Sequence, residues 1–189
     1  TAMMATFIAT ASAKLSDMME GSKVRKVEEE MDKILVQAQN FYQETSTQEG
    51  RGRFPGQDKY NMPVGGYTTE LDLINDLENF EKYDYPDGKN WCSIFGIAHE
   101  EAPMPPGGLF VNDTVAAVEN CNACAETRYA GHDDWLFKFG GNALPSPFQD
   151  GHFIYVVIPG SGTGDNAEPP ILYIADAENP KYLNKLLQF

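Results

Sequence analysis

The sequence predicts an α+β fold in which one long N-terminal helix packs on a small antiparallel sheet accompanied by short helices. Three observations predict it. Apolar residues recur in steps of three and four over Val24, Val27, Met31, Ile34, Leu35, Ala38, Phe41 and Tyr42, which lays them along one stripe of a helix. Short runs at 91–98, 134–139, 152–158 and 171–175 alternate or stay apolar over the length of a strand. Turn-rich stretches separate those runs, and helices combined with an antiparallel sheet make the class α+β.

Taken in order, the chain divides into 1–4, a helix over 5–48 and a head over 49–189. The leader Ala5-Thr6-Phe7-Ile8-Ala9-Thr10-Ala11 is weakly apolar all round, and the periodic stripe follows it. Lys26, Glu29, Glu30, Lys33, Gln37 and Gln39 fall largely outside the stripe. Arg53-Phe54-Pro55-Gly56 breaks the helix. Thr69 caps a second helix over 70–82, with Leu71, Leu73, Ile74, Leu77 and Phe80 as its apolar positions, and Tyr85-Pro86-Asp87-Gly88 ends it. A strand over 91–98 precedes a Pro-rich loop at 102–108, and Asp113 is placed to cap a short helix over 115–120. The next two strands, 134–139 and 152–158, flank the turn-rich 140–151. A further strand at 171–175 leads to a closing helix over 179–188 with Tyr182, Leu183, Leu186 and Leu187 apolar.

Composition narrows the function. At 189 residues the chain buries one good core, and 42% hydrophobic with 12% aromatic residues is ordinary for a globular fold. A net charge of −14 argues against nucleic acid as the partner, because such affinity rests on Lys and Arg neutralising phosphates. Only Lys23, Arg25, Lys26 and Arg51, Arg53 cluster, which fits a solvated helix face or a position near a membrane surface.

The order of these features resembles the type IV pilin and type II secretion pseudopilin superfamily. The likeness lies in Lys23-Val24-Arg25-Lys26-Val27 running to Asn40-Phe41-Tyr42-Gln43, then Gly50-Arg51-Gly52-Arg53-Phe54-Pro55-Gly56. There an aromatic pair precedes a short turn and a Phe-Pro-Gly. A weaker likeness is Leu172-Tyr173-Ile174-Ala175-Asp176 with Asn179-Pro180. The resemblance covers residues 5 to 60 and implies a pilin-like fold whose apolar half-helix anchors the subunit in the membrane and then forms the filament core. The family pattern has an aromatic-led apolar run with a glutamate at its fifth position, whereas this chain has Thr1-Ala2-Met3-Met4-Ala5 and no acid before Asp17. The expectation is that 1–4 are a cloning scar and that about 15 residues of helix are deleted ahead of Ala5, since a spanning helix needs about 20 apolar residues.

What this implies is a structural subunit of a filament, either type IV pilus-like or a type II secretion pseudopilus, and no enzyme. Phe7, Ile8 and Leu15 would form the assembly surface between helices. Val24, Val27, Met31, Ile34, Leu35, Ala38 and Phe41 would hold the head on its own helix. Partners would be copies of itself, other pilin-like subunits and the inner-membrane assembly machinery, with the membrane reached through the missing N-terminal segment. The native protein would be anchored in the inner membrane and then periplasmic or extracellular in a filament, and this form soluble.

Cys121 and Cys124 form a C-x-x-C, and Cys92 lies far away on an expected strand. In an oxidising compartment a structural disulfide is the first reading, with Cys121–Cys124 or Cys92 with either one as the pairings. Adding His132 makes a Cys3His zinc set, but a second tight ligand pair is absent. No cofactor is expected. The loop at 160–170 carries Asp165, Asn166 and Glu168 as hard oxygen donors, and some pseudopilins hold calcium in a C-terminal loop, yet the spacing matches no calcium motif. The glycines of that loop do not make a phosphate cradle, since no Lys follows and Pro169-Pro170 forbids a helix there. Catalysis would have to draw on Cys92 with His99, His132 or His152, which form no cluster in sequence. The rival reading is a periplasmic or extracellular binding module that oligomerises through its N-terminal helix. It would use the loop aromatics Tyr60, Tyr67, Tyr83, Tyr85 and Phe148 for a ligand.

Overall fold

The computed structural model describes residues 6–9, 21–57, 59–81, 90–95, 134–148, 153–162 and 164–189. Helix α1 spans Gly21–Glu49 and is 29 residues long. Nothing in it breaks a helix, and it stops at Gly50, whose φ of 85° suits the left-handed residue that ends a helix. Helix α2 spans Glu70–Leu77, and its cap is the expected one: the Thr69 hydroxyl accepts from the Asp72 N–H at 3.4 Å.

Five strands form one antiparallel sheet: β1 Thr6–Ala9, β2 Cys92–Ser93, β3 Phe153–Ile158, β4 Ile171–Asp176 and β5 Asn184–Gln188, in the order β1-β5-β4-β3-β2. The central pairing runs from Phe153 opposite Asp176 to Ile158 opposite Ile171. All six residues of β3 are buried, so the alternation that marks a half-solvated strand is missing. The reason is a helix on each face. Phe153, Tyr155, Val157, Leu172, Ile174 and Leu187 face the α1 side, where they meet Val27, Met31, Ile34 and Leu35. Ile154, Val156, Ile158, Tyr173, Ala175 and Leu186 face the α2 side with Leu73, Leu77, Phe80 and Trp91.

Several expected elements take another form. The helix expected from residue 5 begins, among the described residues, at Gly21, and Thr6–Ala9 is a strand whose register sets Phe7 opposite Leu187 and Ile8 opposite Leu186. Thr and Ile are β-branched, and the open edge of β5 supplies a pairing that an isolated turn of helix lacks. The closing helix expected at 179–188 is a tight turn followed by β5. Leu186 and Leu187 point to opposite faces of a sheet covered on both sides, so neighbouring leucines are buried without any helical stripe. The strand expected at 134–139 is a short helix over 134–138. Gly140 and Gly141, at φ of 66° and 83°, close it with a hydrogen bond from the Gly141 N–H to the Leu136 carbonyl at 2.7 Å. The strand expected at 91–98 is reduced to Cys92–Ser93 among the described residues. The second helix ends at Leu77, short of residue 82. The helix expected at 115–120 lies outside the described residues.

Candidate assembly surfaces

The stripe of α1 is buried along its length: Val24, Val27, Met31, Ile34, Leu35, Ala38 and Phe41 are each at most 9% exposed. Glu30 lies in the same stripe and is held by Lys26 at 2.8 Å and Lys33 at 3.0 Å. Burial works to raise the Glu30 carboxyl, and the two lysines overcome it and hold the group below the ordinary carboxylate range. From the sheet, Lys185 of β5 reaches Asp32 at 2.6 Å and ties the strand to the outer flank of the helix.

The helix exit is built from residues whose polarity reads as loop. The Thr45 hydroxyl donates to the Phe41 carbonyl at 2.9 Å and accepts from the Arg53 N–H at 3.0 Å, which returns the chain against the last turns of α1. Gln57, only 2% exposed, accepts from the Phe54 N–H at 2.8 Å and donates to the carbonyls of Tyr60 at 3.1 Å and Met62 at 2.6 Å. One buried side chain thus bonds three backbone groups of the loop. Tyr42 stacks on Phe189 at 4.2 Å and leans on Phe54 at 5.3 Å. The Gly52 backbone passes so close to Tyr42 that a Cβ there would sit 2.4 Å from the ring. Tyr42 of the aromatic pair therefore shares one cluster with Phe54, while Phe41 lies under the Arg53 guanidinium at 5.2 Å.

Beside this exit, Tyr42, Arg51, Tyr60, Glu168 and Pro169 line a hollow of about 320 Å³. The Arg51 guanidinium lies 4.9 Å over the Tyr60 ring and donates to the Gly164 carbonyl at 3.2 Å. The basic pair is therefore used in part inside the head: Arg53 donates to the Gln57 carbonyl at 2.9 Å and bridges Glu49 at 3.0 Å.

On the opposite side of the sheet a groove of about 280 Å³ is lined by Ile74, Leu77, Tyr173 and Leu186 with Glu78, Lys181 and Asn184 beside them, and most of its open surface is apolar. Leu71 and Ile74 add exposed apolar surface next to it, at 68% and 40%. Another large exposed apolar side chain lies on the α1 side: Phe137, at 83%.

The expected site residues distribute unevenly. Phe7 and Ile8 lie on β1, while Leu15, Cys121, Cys124, His99, His132, His152, Tyr83 and Tyr85 lie outside the described residues. Cys92 is buried on β2. Tyr67 is in the core and donates to Asp76 at 2.8 Å, and Phe148 packs, partly buried, against the other core. Asp165 and Asn166 are exposed on a turn of 3-10 helix at Gly164–Asn166, and Glu168 is exposed where its backbone pairs with Ser161. Among the described residues no group of three or more His, Cys, Asp and Glu is placed to hold a metal. No described helix is long and apolar enough to cross a membrane. Gln57, Thr45 and Phe189 are the structural residues that sequence patterning passes over, since a Gln after Pro-Gly and a Thr late in a helix read as solvated. No family model, curated protein or solved structure matches the chain.

Proposed function

We propose that this chain is the head and distal helix of a filament subunit of the pilin or pseudopilin kind, assembling through its N-terminal helix. The observation that carries the reading is the helix itself. At 29 residues α1 extends about 43 Å at 1.5 Å per residue, far beyond the helices of about 11 residues usual in a compact domain. Its buried stripe fastens it to an antiparallel sheet, and a Phe-Pro-Gly turn closes the attachment. A rigid rod gripped along one face can transmit packing between neighbouring copies to their heads. In this reading an apolar segment upstream is held in the inner membrane, is extracted, and packs beside its neighbours in a periplasmic or extracellular fibre. Other pilin-like subunits and the assembly machinery are its partners.

One observation favours the rival binding module: Thr6–Ala9 pairs with β5 as part of the head. Filament assembly through a continuous helix requires those residues to leave β5. The gene upstream of the Ala5 codon separates the two readings. A run of roughly fifteen apolar residues with one glutamate, after a short basic leader ending in Gly, supports the filament subunit. A start codon at Met3 or Met4, or a cleavable secretory signal directly before Ala5, would falsify it.

A further inference from the structure

We propose that the hollow beside the helix exit binds a small zwitterion of the free amino acid class, its carboxylate on Arg51 and its ammonium toward Glu168. The hollow holds about 320 Å³ between Tyr42, Ser46, Arg51, Tyr60, Glu168 and Pro169. That is the small end of the roughly 300–1,000 Å³ that ligand sites occupy. Arg51 and Glu168 bring opposite charges to this one hollow, yet no ion pair joins them, and neither pairs with another charge among the described residues. The site lies in the head and does not depend on how the N-terminal helix is used.

The groups that would meet the carboxylate are held in place. Arg51 donates to the Gly164 carbonyl at 3.2 Å and lies 4.9 Å over the Tyr60 ring, which fixes the guanidinium and leaves its other N–H groups for a ligand. Tyr42 is only 5% exposed, and its hydroxyl makes no hydrogen bond among the described residues. Burial raises that hydroxyl above its ordinary value while the Arg51 charge acts against the rise, so the phenol stays a donor with the guanidinium near enough to influence it.

The walls are fastened without a ligand. The Gly160 N–H donates to the Tyr60 carbonyl at 2.8 Å, the backbones of Ser161 and Glu168 pair at 3.1 and 2.7 Å, and the Tyr60 hydroxyl donates to the Gly162 carbonyl. A Cβ on Gly160 would lie 2.4 Å from the Glu168 carbonyl, so only glycine lets the two loops close on one another. A site already in shape loses little freedom on binding.

Charge then selects the ligand. A phosphate would meet Glu168 and the carbonyl end of α1, which borders the hollow through Ser46 and Gly50 and favours a positive group. A simple cation would meet Arg51. A molecule carrying both charges suits both ends.

The test is ligand-observed NMR of the folded chain with each of the common L-amino acids in turn, followed by calorimetry on those that bind. At least one should bind with a Kd below about 1 mM. Its N-acetyl form, which lacks the ammonium, and its amide, which lacks the carboxylate, should each bind about tenfold more weakly. Arg51→Gln and Glu168→Gln change exposed positions and should keep the melting temperature. Each should weaken the amino acid about tenfold or more, and Tyr42→Phe should weaken it in the same direction. The proposal is overturned if no amino acid binds below that limit, or if either glutamine variant binds the amino acid as wild type does. It is also overturned if acetate or phosphate binds as tightly as the amino acid, which would make the hollow a plain anion site. None of these results touches the upstream gene, so the filament reading stands or falls separately.

Discussion

Asp176 is the residue whose chemistry is most at odds with its position. Its carboxylate is fully buried at the end of β4, accepting from the Ser146 hydroxyl at 2.6 Å and the Glu178 N–H at 2.9 Å. Burial pushes the carboxyl up from 3.8 to about 6, against those hydrogen bonds, which favour the charged form. A folded-state pKa above the unfolded one means the group stabilises the fold fully below about pH 4, and that contribution is lost as pH rises through about 6. At roughly 1.4 kcal/mol per unit the span is about 3 kcal/mol. Denaturant midpoints of wild type and Asp176→Asn between pH 4 and 7 should therefore diverge, and parallel curves would remove the argument. Glu30 works in the opposite sense, so the difference between the two proteins is the quantity to read. Gln57 is the second residue of this kind. Gln57→Ala removes the side-chain partner of the Phe54 N–H and of the Met62 carbonyl, while the Tyr60 carbonyl keeps the Gly160 N–H at 2.8 Å, so the cost is about 2 kcal/mol. Urea unfolding at fixed pH measures it, and a change below a few tenths would show that water replaces the amide.

At the scale of elements, α1 depends on its stripe. Ile34 and Leu35 are fully buried in the core that α1 forms with the sheet. Replacing either by Ala should lower stability by about 2 to 5 kcal/mol, the range for large-to-small changes in a packed core. An unchanged melting temperature would mean that the helix is not held by the head. The stripe was legible in the sequence because eight positions share one period, and no other element repeats its signal so often. The short elements were not legible. Four residues at 6–9, five at 134–138 and five at 184–188 each contain apolar residues at spacings that satisfy helix and strand alike. Their type follows from what each finds beside it: an open sheet edge, a pair of left-handed glycines, or a turn that returns the chain to β4.

Across the whole molecule, the sheet separates two cores. Leu35 lies in the core under α1 and Leu73 in the core under α2, with no shared neighbours. Their Ala variants should therefore add, the double mutant falling within about 0.5 kcal/mol of the sum of the singles. A larger coupling would show that strain passes through β3 and β4. The same division places the helix exit and Phe137 on one side and the apolar groove on the other.

What the sequence determined by itself was the long amphipathic helix, its exit at Phe54-Pro55-Gly56, the capped start of α2 and the two central strands β3 and β4. In each of these, periodicity, capping or a continuous apolar run is repeated locally enough to outweigh context. Tertiary structure alone decided that both faces of the sheet are covered, that Thr6–Ala9 joins β5, and that 134–138 turns as a helix with Phe137 outward. It also decided that a Gln and a Thr sit at the centre of the helix exit. The physical reason is that a run of four or five residues cannot offset its own ordering entropy. Its conformation is set by the hydrogen-bond partners and apolar surface that distant parts of the chain bring to it.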